Sequence, residues 1–243
     1  MRRSSSPTPP ERQPIKLVQI TTVPDALTFL RGPVALAKSR GFEVVAISSP
    51  GELLDAFGNE ADIPVFPVEM PRRIAPLADL RALVQLTRLL RQLRPHIVHA
   101  QTPKGGLLGT TAAWLAGVPA RLYHIRGLPM LTATGYKRTL LRYSEKVACT
   151  LAGQVLCVSH SIREEAIREH LGPADKIKVL FHGSGQGVDA AEKFNPERIP
   201  PTAGAETRNR LGIPEQATVI GFIGRIVRDK GCLLYPSDAA DDL

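Results

Sequence analysis

The sequence predicts an α/β protein built on a doubly wound parallel sheet. Three observations carry that prediction. Short apolar runs rich in β-branched residues recur along the chain, each separated from the next by a helix-length stretch. Several of those runs are apolar at consecutive positions, as strands covered on both faces must be. Glycine or proline stands at many of the changeovers, where helices stop and strands begin.

The elements follow in order. Residues 1–14 are basic, rich in Ser and Pro and without an apolar core, so they read as a disordered leader and not as a signal peptide. Residues 15–21 are a buried strand and 24–29 a loop. Gly32-Pro33 then open a helix that closes at Gly41, with proline near its first position. A strand at 43–48, a short helix at 51–57 and a strand at 63–68 come next; the prolines of the last suit a sheet edge. The clearest helix spans 77–93. Leu77, Leu80, Val84, Leu86, Leu89, Leu90 and Leu93 form its apolar stripe, with Arg81, Arg88 and Arg91 falling away from it. Pro95 ends it, and 96–100 is a strand.

A helix at 104–116 carries Gly105, Gly106, Gly109, Ala112 and Ala113, small residues that permit close packing; Gly117 and Pro119 stop it. A strand at 121–125, an amphipathic basic helix at 136–151 and a strand at 155–158 continue the alternation. Ser161 with Glu164 suggests a capping box for a helix ending near Leu171-Gly172. Residues 178–181 are one more strand. The Gly-, Pro- and charge-rich stretch 182–217, with only a weak helical signal, reads as an interdomain linker. Residues 218–231 are expected to be the first strand and loop of a second, truncated domain. The last twelve, 232–243, resemble a translated library-adapter sequence and are expected to be non-native.

Composition bounds the function. The 243 residues are 43% hydrophobic and 22% charged, ordinary for a soluble globular chain. A net charge of +8 and a pI near 9.7 imply an anionic partner. Aromatic content of 5% argues against stacking platforms for single-stranded nucleic acid. Cys149, Cys157 and Cys232 lack metal-type spacing and read as reduced thiols of a cytoplasmic protein. No apolar run approaches the roughly 20 residues of a membrane span. No set of side chains suggests a metal site or a nucleophile–base pair.

Five places can carry chemistry, each at the carboxyl end of a predicted strand. Gly32 lies in the loop after the first strand, where a helix N-terminus would face an anion or a sugar hydroxyl. Thr102-Pro103-Lys104-Gly105-Gly106 offers backbone N–H groups and the charge of Lys104, although a packing role for its glycines weighs equally. His124-Ile125-Arg126-Gly127 closes a strand with two alternating polar groups. Gly183-Ser184-Gly185-Gln186-Gly187-Val188-Asp189 fails the dinucleotide-binding frame and reads as a flexible crossing, with Asp189 bonding a turn. Gly224-Arg225, with Lys230 beyond, would let the backbone and two cations approach a phosphate. Arg72, Arg73 and the arginines of the long helix are ordinarily a solvated face. Joined to Arg138 and Arg142, they would make a basic patch for anionic lipid.

Taken in order, these pieces resemble the amino-terminal domain of a retaining GT-B glycosyltransferase of family four, close to the capsule and lipopolysaccharide enzymes. The matching residues are Phe29-Leu30-Arg31-Gly32, Met70-Pro71-Arg72, Arg94-Pro95-His96-Ile97-Val98-His99-Ala100, Thr102-Pro103-Lys104-Gly105-Gly106 and Ala116-Gly117-Val118-Pro119. Arg126-Gly127-Leu128-Pro129, Val158-Ser159, Gly187-Val188-Asp189 and Gly224-Arg225 with Lys230 complete the set. The resemblance implies a Rossmann-like domain over 15–181 that holds a lipid-linked or glycan acceptor. It implies a nucleotide-diphosphate sugar as donor substrate and no resident cofactor or metal. Arg225 and Lys230 would bind the donor diphosphate, Gly32 and Lys104 would face substrate, and His124 or Arg126 would approach the transferred sugar.

Family members often carry histidine where this chain has Arg126, which leaves open which of the two meets the sugar. The Glu-x7-Glu pair of the second domain is missing, so the chain as given is expected not to turn over. Its expected place is the cytoplasm, with a possible peripheral contact on the inner face of the membrane. The competing readings are a nucleotide-sugar epimerase of the same architecture and a non-catalytic anion- or sugar-binding module.

Overall fold

The computed structural model describes residues 14–185 and 187–221. They divide into a unit ending at Gly187 and a smaller one beginning at Val188. The first unit is a seven-stranded, wholly parallel sheet in the order β3-β2-β1-β4-β5-β6-β7. Its strands are β1 (Lys16–Ile20), β2 (Glu43–Ser48), β3 (Val65–Pro67), β4 (Ile97–Gln101), β5 (Ala120–Ile125), β6 (Gln154–Cys157) and β7 (Ile177–Val179). The connecting helices are α1 (Arg31–Ser39), α2 (Glu52–Ala61), α3 (Pro76–Leu93), α4 (Pro103–Leu115), α5 (Gly135–Leu151) and α6 (His160–Arg168). The fold class is therefore the doubly wound, Rossmann-like sheet that the alternation predicts. β3 does lie at an edge, where Pro64 and Pro67 cost no ladder bond in the sheet interior.

Winding runs outward in both directions from β1 and β4, which pair in parallel from Leu17↔Ile97 to Ile20↔Ala100. The order reverses between these two strands, and a crevice opens at their carboxyl ends. Alternation sorts the side chains. Val18, Ile20, Val45, Ile47, Val98 and Ala100 face α3 and α4 in one core. Val44 and Ala46 face α1, α2 and a 3-10 turn, Pro24–Leu30, on the opposite side. Tyr123, Ile125, Val155 and Cys157 pack with Ala148 and Cys149 of α5.

Several local expectations change. The loop at 24–29 is that 3-10 turn and passes directly into α1, so Gly32 lies inside a continuous helical run and not at a free N-terminus. The stripe on α3 splits: Ala82, Leu86 and Leu90 are buried, whereas Leu77, Leu80 and Val84 are exposed. The cap of α6 is Ser159, whose Oγ accepts the Ile162 N–H, and not Ser161; Ser159 alone has the extended backbone that a cap needs. The stretch expected as linker contains α7 (Ala203–Arg210) and a 3-10 turn, Pro196–Arg198. Asp189 bonds its turn through the Glu192 N–H, 2.9 Å away. Of the first strand and loop expected at 218–231, residues 218–221 carry no strand pairing, and the rest lies outside the described residues. The leader up to residue 13 and the tail 232–243 lie outside them too.

Candidate active site

Hydroxyls close the bottom of the crevice. Thr22 and Thr102 stand just past the ends of β1 and β4, their Oγ1 atoms 2.6 Å apart. Thr102 Oγ1 donates to the Gln101 carbonyl and accepts the Thr22 N–H at 3.1 Å, so Thr22 is the donor between the two hydroxyls. Thr22 Oγ1 also accepts the Gly105 N–H at 2.8 Å, which occupies one of the donors at the start of α4. Thr102 is held at φ 67°, a left-handed conformation that a β-branched residue rarely adopts. Strain of that kind persists only where surrounding bonds over-determine it.

The glycines of α4 serve packing. A Cβ at Gly106 would lie 2.1 Å from the Tyr123 ring, and one at Gly109 would lie 3.0 Å from the Ala100 Cβ. Lys104 turns away from the crevice: its Nζ is 2.7 Å from Asp79 Oδ1 and donates to the Arg73 carbonyl. The ammonium joins the start of α4 to the start of α3, where Asp79 also accepts the Ala75 N–H.

Before the threonines along β1 and β4, one sheet face carries an unbroken polar row. Parallel register aligns Gln19 with His99 and Gln101 with His124, and Arg126 follows β5. Gln101 Nε2 donates to Gln19 Oε1 at 3.0 Å, which turns Gln101 Oε1 toward the Arg126 Nε, 2.8 Å away. The rings of His99 and His124 stack at 5.5 Å with 10° between their planes. Burial first, then the neighbouring His124 and Arg126, lowers the His99 pKa to about 3. Burial, followed by Arg126, lowers that of His124 to about 4. Both imidazoles are therefore neutral near pH 7.

The Arg126 guanidinium lies over the Phe29 ring, its Cζ 5.5 Å from the centroid, and meets Gly185 on the segment after β7. That segment returns because Gly183 adopts φ +94° in a space where a Cβ would lie 2.4 Å from the Val158 carbonyl oxygen. The flexible crossing expected there is thus pinned at its start, with the Ser184 N–H donating to that same carbonyl at 2.6 Å. Gly32 and Gly185 line a common cavity of about 470 Å³ with Pro33, Leu36, Arg40 and Phe42.

The fold therefore brings His124 and Arg126 together, sets Gly32 beside the Gly185 segment and draws Lys104 aside. Arg225 and Lys230 lie outside the described residues. Thr22 and Gln101 escape sequence reasoning, and so does the hydroxyl pairing of Thr102, because Thr22 meets Thr102 across 80 positions and Gln101 meets Gln19 across 82.

A family model described as glycosyl transferase 4-like domain matches residues 28–183, a span that contains this crevice. The chain belongs to that family. It is 33% identical over 216 residues to the capsular polysaccharide biosynthesis glycosyltransferase CapM of Staphylococcus aureus, covering 89% of this chain and 54% of the relative. It is 30% identical to the Escherichia coli UDP-Gal:alpha-D-GlcNAc-diphosphoundecaprenol alpha-1,3-galactosyltransferase, covering 69% of this chain and 42% of that one. The chain thus spans about half the length of the curated relatives it matches.

Among solved structures, Anabaena Alr3699/HepE in complex with UDP-glucose superposes with a TM-score of 0.58 at 18% identity, covering 82% of this chain and 50% of that one. A UDP-N-acetylglucosamine 2-epimerase gives 0.55 at 18%, covering 69% and 48%. Likenesses this distant establish the shared fold and do not separate transferase from epimerase. In this glycosyl transferase 4-like chain β1, β4 and β5 run on into Thr21-Thr22, Thr102 and Arg126, none of them a carboxylate.

Proposed function

We propose that this chain is the acceptor-side part of a retaining glycosyltransferase. The enzyme moves a sugar from a nucleotide-diphosphate sugar to a lipid-linked or polysaccharide acceptor. The observation that carries the reading is the crevice at the β1/β4 reversal, where the family match, the strained Thr102 and the polar row of His124 and Arg126 coincide. The names of the two relatives support the donor and acceptor classes. Arg225 and Lys230 would stabilise the leaving diphosphate by charge, without a resident cofactor. Gly32 would face substrate from the helical run beside the crevice, and Lys104 would act through the α3–α4 junction it ties.

The acceptor's lipid sets the location. Leu77, Leu80 and Val84 stand exposed on α3 beside Arg81 and Arg88, and Leu80, Val84 and both arginines line a groove of about 670 Å³ against β3. An apolar surface flanked by cations fits the headgroup region of an anionic membrane. Arg138 and Arg142 share one carboxylate, Glu169, which offsets part of the charge they would bring to such a surface. Among the described residues no helix is long and apolar enough to cross a membrane. The protein would rest on the cytoplasmic face and have no nucleic-acid partner.

The test is transfer by protein expressed from the full reading frame, with a panel of UDP-sugars and prenyl-diphosphate-linked acceptors and the product anomer read by NMR. Retention is expected, and R225A or K230A should lower kcat by about 100-fold. Interconversion of the free UDP-sugar without an acceptor would instead establish the epimerase reading.

A further inference from the structure

Arg126 is held in a way that leaves its recognition edge unused. Its Nε is committed to Gln101 and its face to Phe29, but Nη2 is buried without a hydrogen-bond partner. Among the described residues no carboxylate pairs with it. A half-buried cation with one terminal nitrogen unpartnered and no counter-charge is costly, and proteins ordinarily pair such a group. On the same polar row, His99 Nε2 is likewise buried and unpartnered. The Arg126 Nε is held by the Gln101 amide, which Gln19 holds in turn. What remains is the planar pair of terminal nitrogens, the geometry that matches two oxygens of one acid group.

We infer that Arg126, on the same polar row as His99, recognises a two-oxygen acid group on the acceptor-side substrate. The identity of that substrate rests on the transferase reading; the anion preference rests on the orphaned atoms alone. The group is either the diphosphate of a lipid-linked acceptor or the carboxylate of an acidic sugar, and one experiment separates them.

The 243-residue chain is melted in the presence of rising inorganic pyrophosphate, glucuronate or, as a neutral control, glucose. Wild type is compared with R126M and R126K. Saturable stabilisation by pyrophosphate assigns the group to a diphosphate, and stabilisation by glucuronate assigns it to a sugar carboxylate. In either case R126M should weaken apparent binding by about tenfold or more, and R126K by less, since lysine keeps the charge but not the fork. Without ligand, R126M should melt close to wild type, because removing the unpartnered Nη2 offsets the loss of the Nε–Gln101 bond and the Phe29 contact.

Equal anion-induced shifts in wild type and R126M would overturn the inference and place the binding elsewhere, for example at Arg225 and Lys230. So would the absence of a shift with both anions, or a large loss of stability in unliganded R126M, which would mark Arg126 as a structural tether. None of these readouts needs turnover, so their failure leaves the transferase reading standing.

Discussion

Glu145 on α5 is 3% exposed, and its Oε2 accepts the Tyr123 hydroxyl at 2.6 Å. Burial raises its pKa from 4.5 to about 7, and the tyrosine bond opposes that shift only in part. Among the described residues no cation pairs with it, and burial and the Tyr123 bond are the causes that act on it. Burial and Glu145 push Tyr123 upward, burial raises Cys149 and carries Cys157 to about 11, and Lys176, itself lowered by burial, acts on Cys149. Because the folded pKa lies above the unfolded one, the folded chain retains a proton that the unfolded chain has lost between about pH 4.5 and about pH 7. The stability tied to this group is complete below that window and gone above it. Over 2.5 pKa units it amounts to about 3 kcal/mol.

His99 and His124 act in the opposite sense. Their folded pKa values of about 3 and about 4 lie below the usual 6.5, so their share of stability rises as pH climbs to about 6.5. The total profile therefore hides Glu145, and a difference measurement exposes it. E145Q removes the titration at nearly constant shape. Urea unfolding of wild type and E145Q, followed by the fluorescence of Trp114, the sole tryptophan, should be run from about pH 4.5 to about pH 8. The variant should lose about 3 kcal/mol less than wild type across that range. Parallel profiles for the two proteins would refute the argument.

Other outcomes follow from the same contacts. G106A sets a methyl 2.1 Å from the fully buried Tyr123 ring and should cost about 3 kcal/mol in a denaturant melt; G204A meets open space in α7 and should gain up to about 1 kcal/mol. D79A leaves the Lys104 ammonium half-satisfied at 15% side-chain exposure, with an expected loss of about 1–3 kcal/mol read by the same melt. R81A/R88A should reduce partition onto anionic vesicles by about 30-fold at low salt, and L80E should weaken it independently of salt. Unchanged co-sedimentation of both variants would remove α3 from the membrane face.

The alternation of elements was legible because its causes are local. Strand runs, helix-stopping Gly41 and Gly117, the break at Pro95 and the prolines of β3 act within a few residues, and the parallel sheet follows from them. The positions of His124 and Arg126 at a strand end were legible for the same reason. What the periodicity of α3 did not reveal is which of two apolar seams would enter the core: both have helical spacing, and the packing of α3 beside α4 chose Ala82, Leu86 and Leu90. Lys104 looked like a free charge because Asp79 stands 25 positions earlier, a distance that only the packing of α3 beside α4 closes.

The switch-point threonines, the Gln19–Gln101–Arg126 relay and the stacked histidines are likewise tertiary facts. Each joins strands far apart in sequence, and their meeting depends on strand order, register and the hand of the crossovers. Side-chain chemistry could nominate polar residues at strand ends. Only the assembled sheet decided which of them satisfy one another and which, like Arg126 Nη2 and His99 Nε2, remain without a partner.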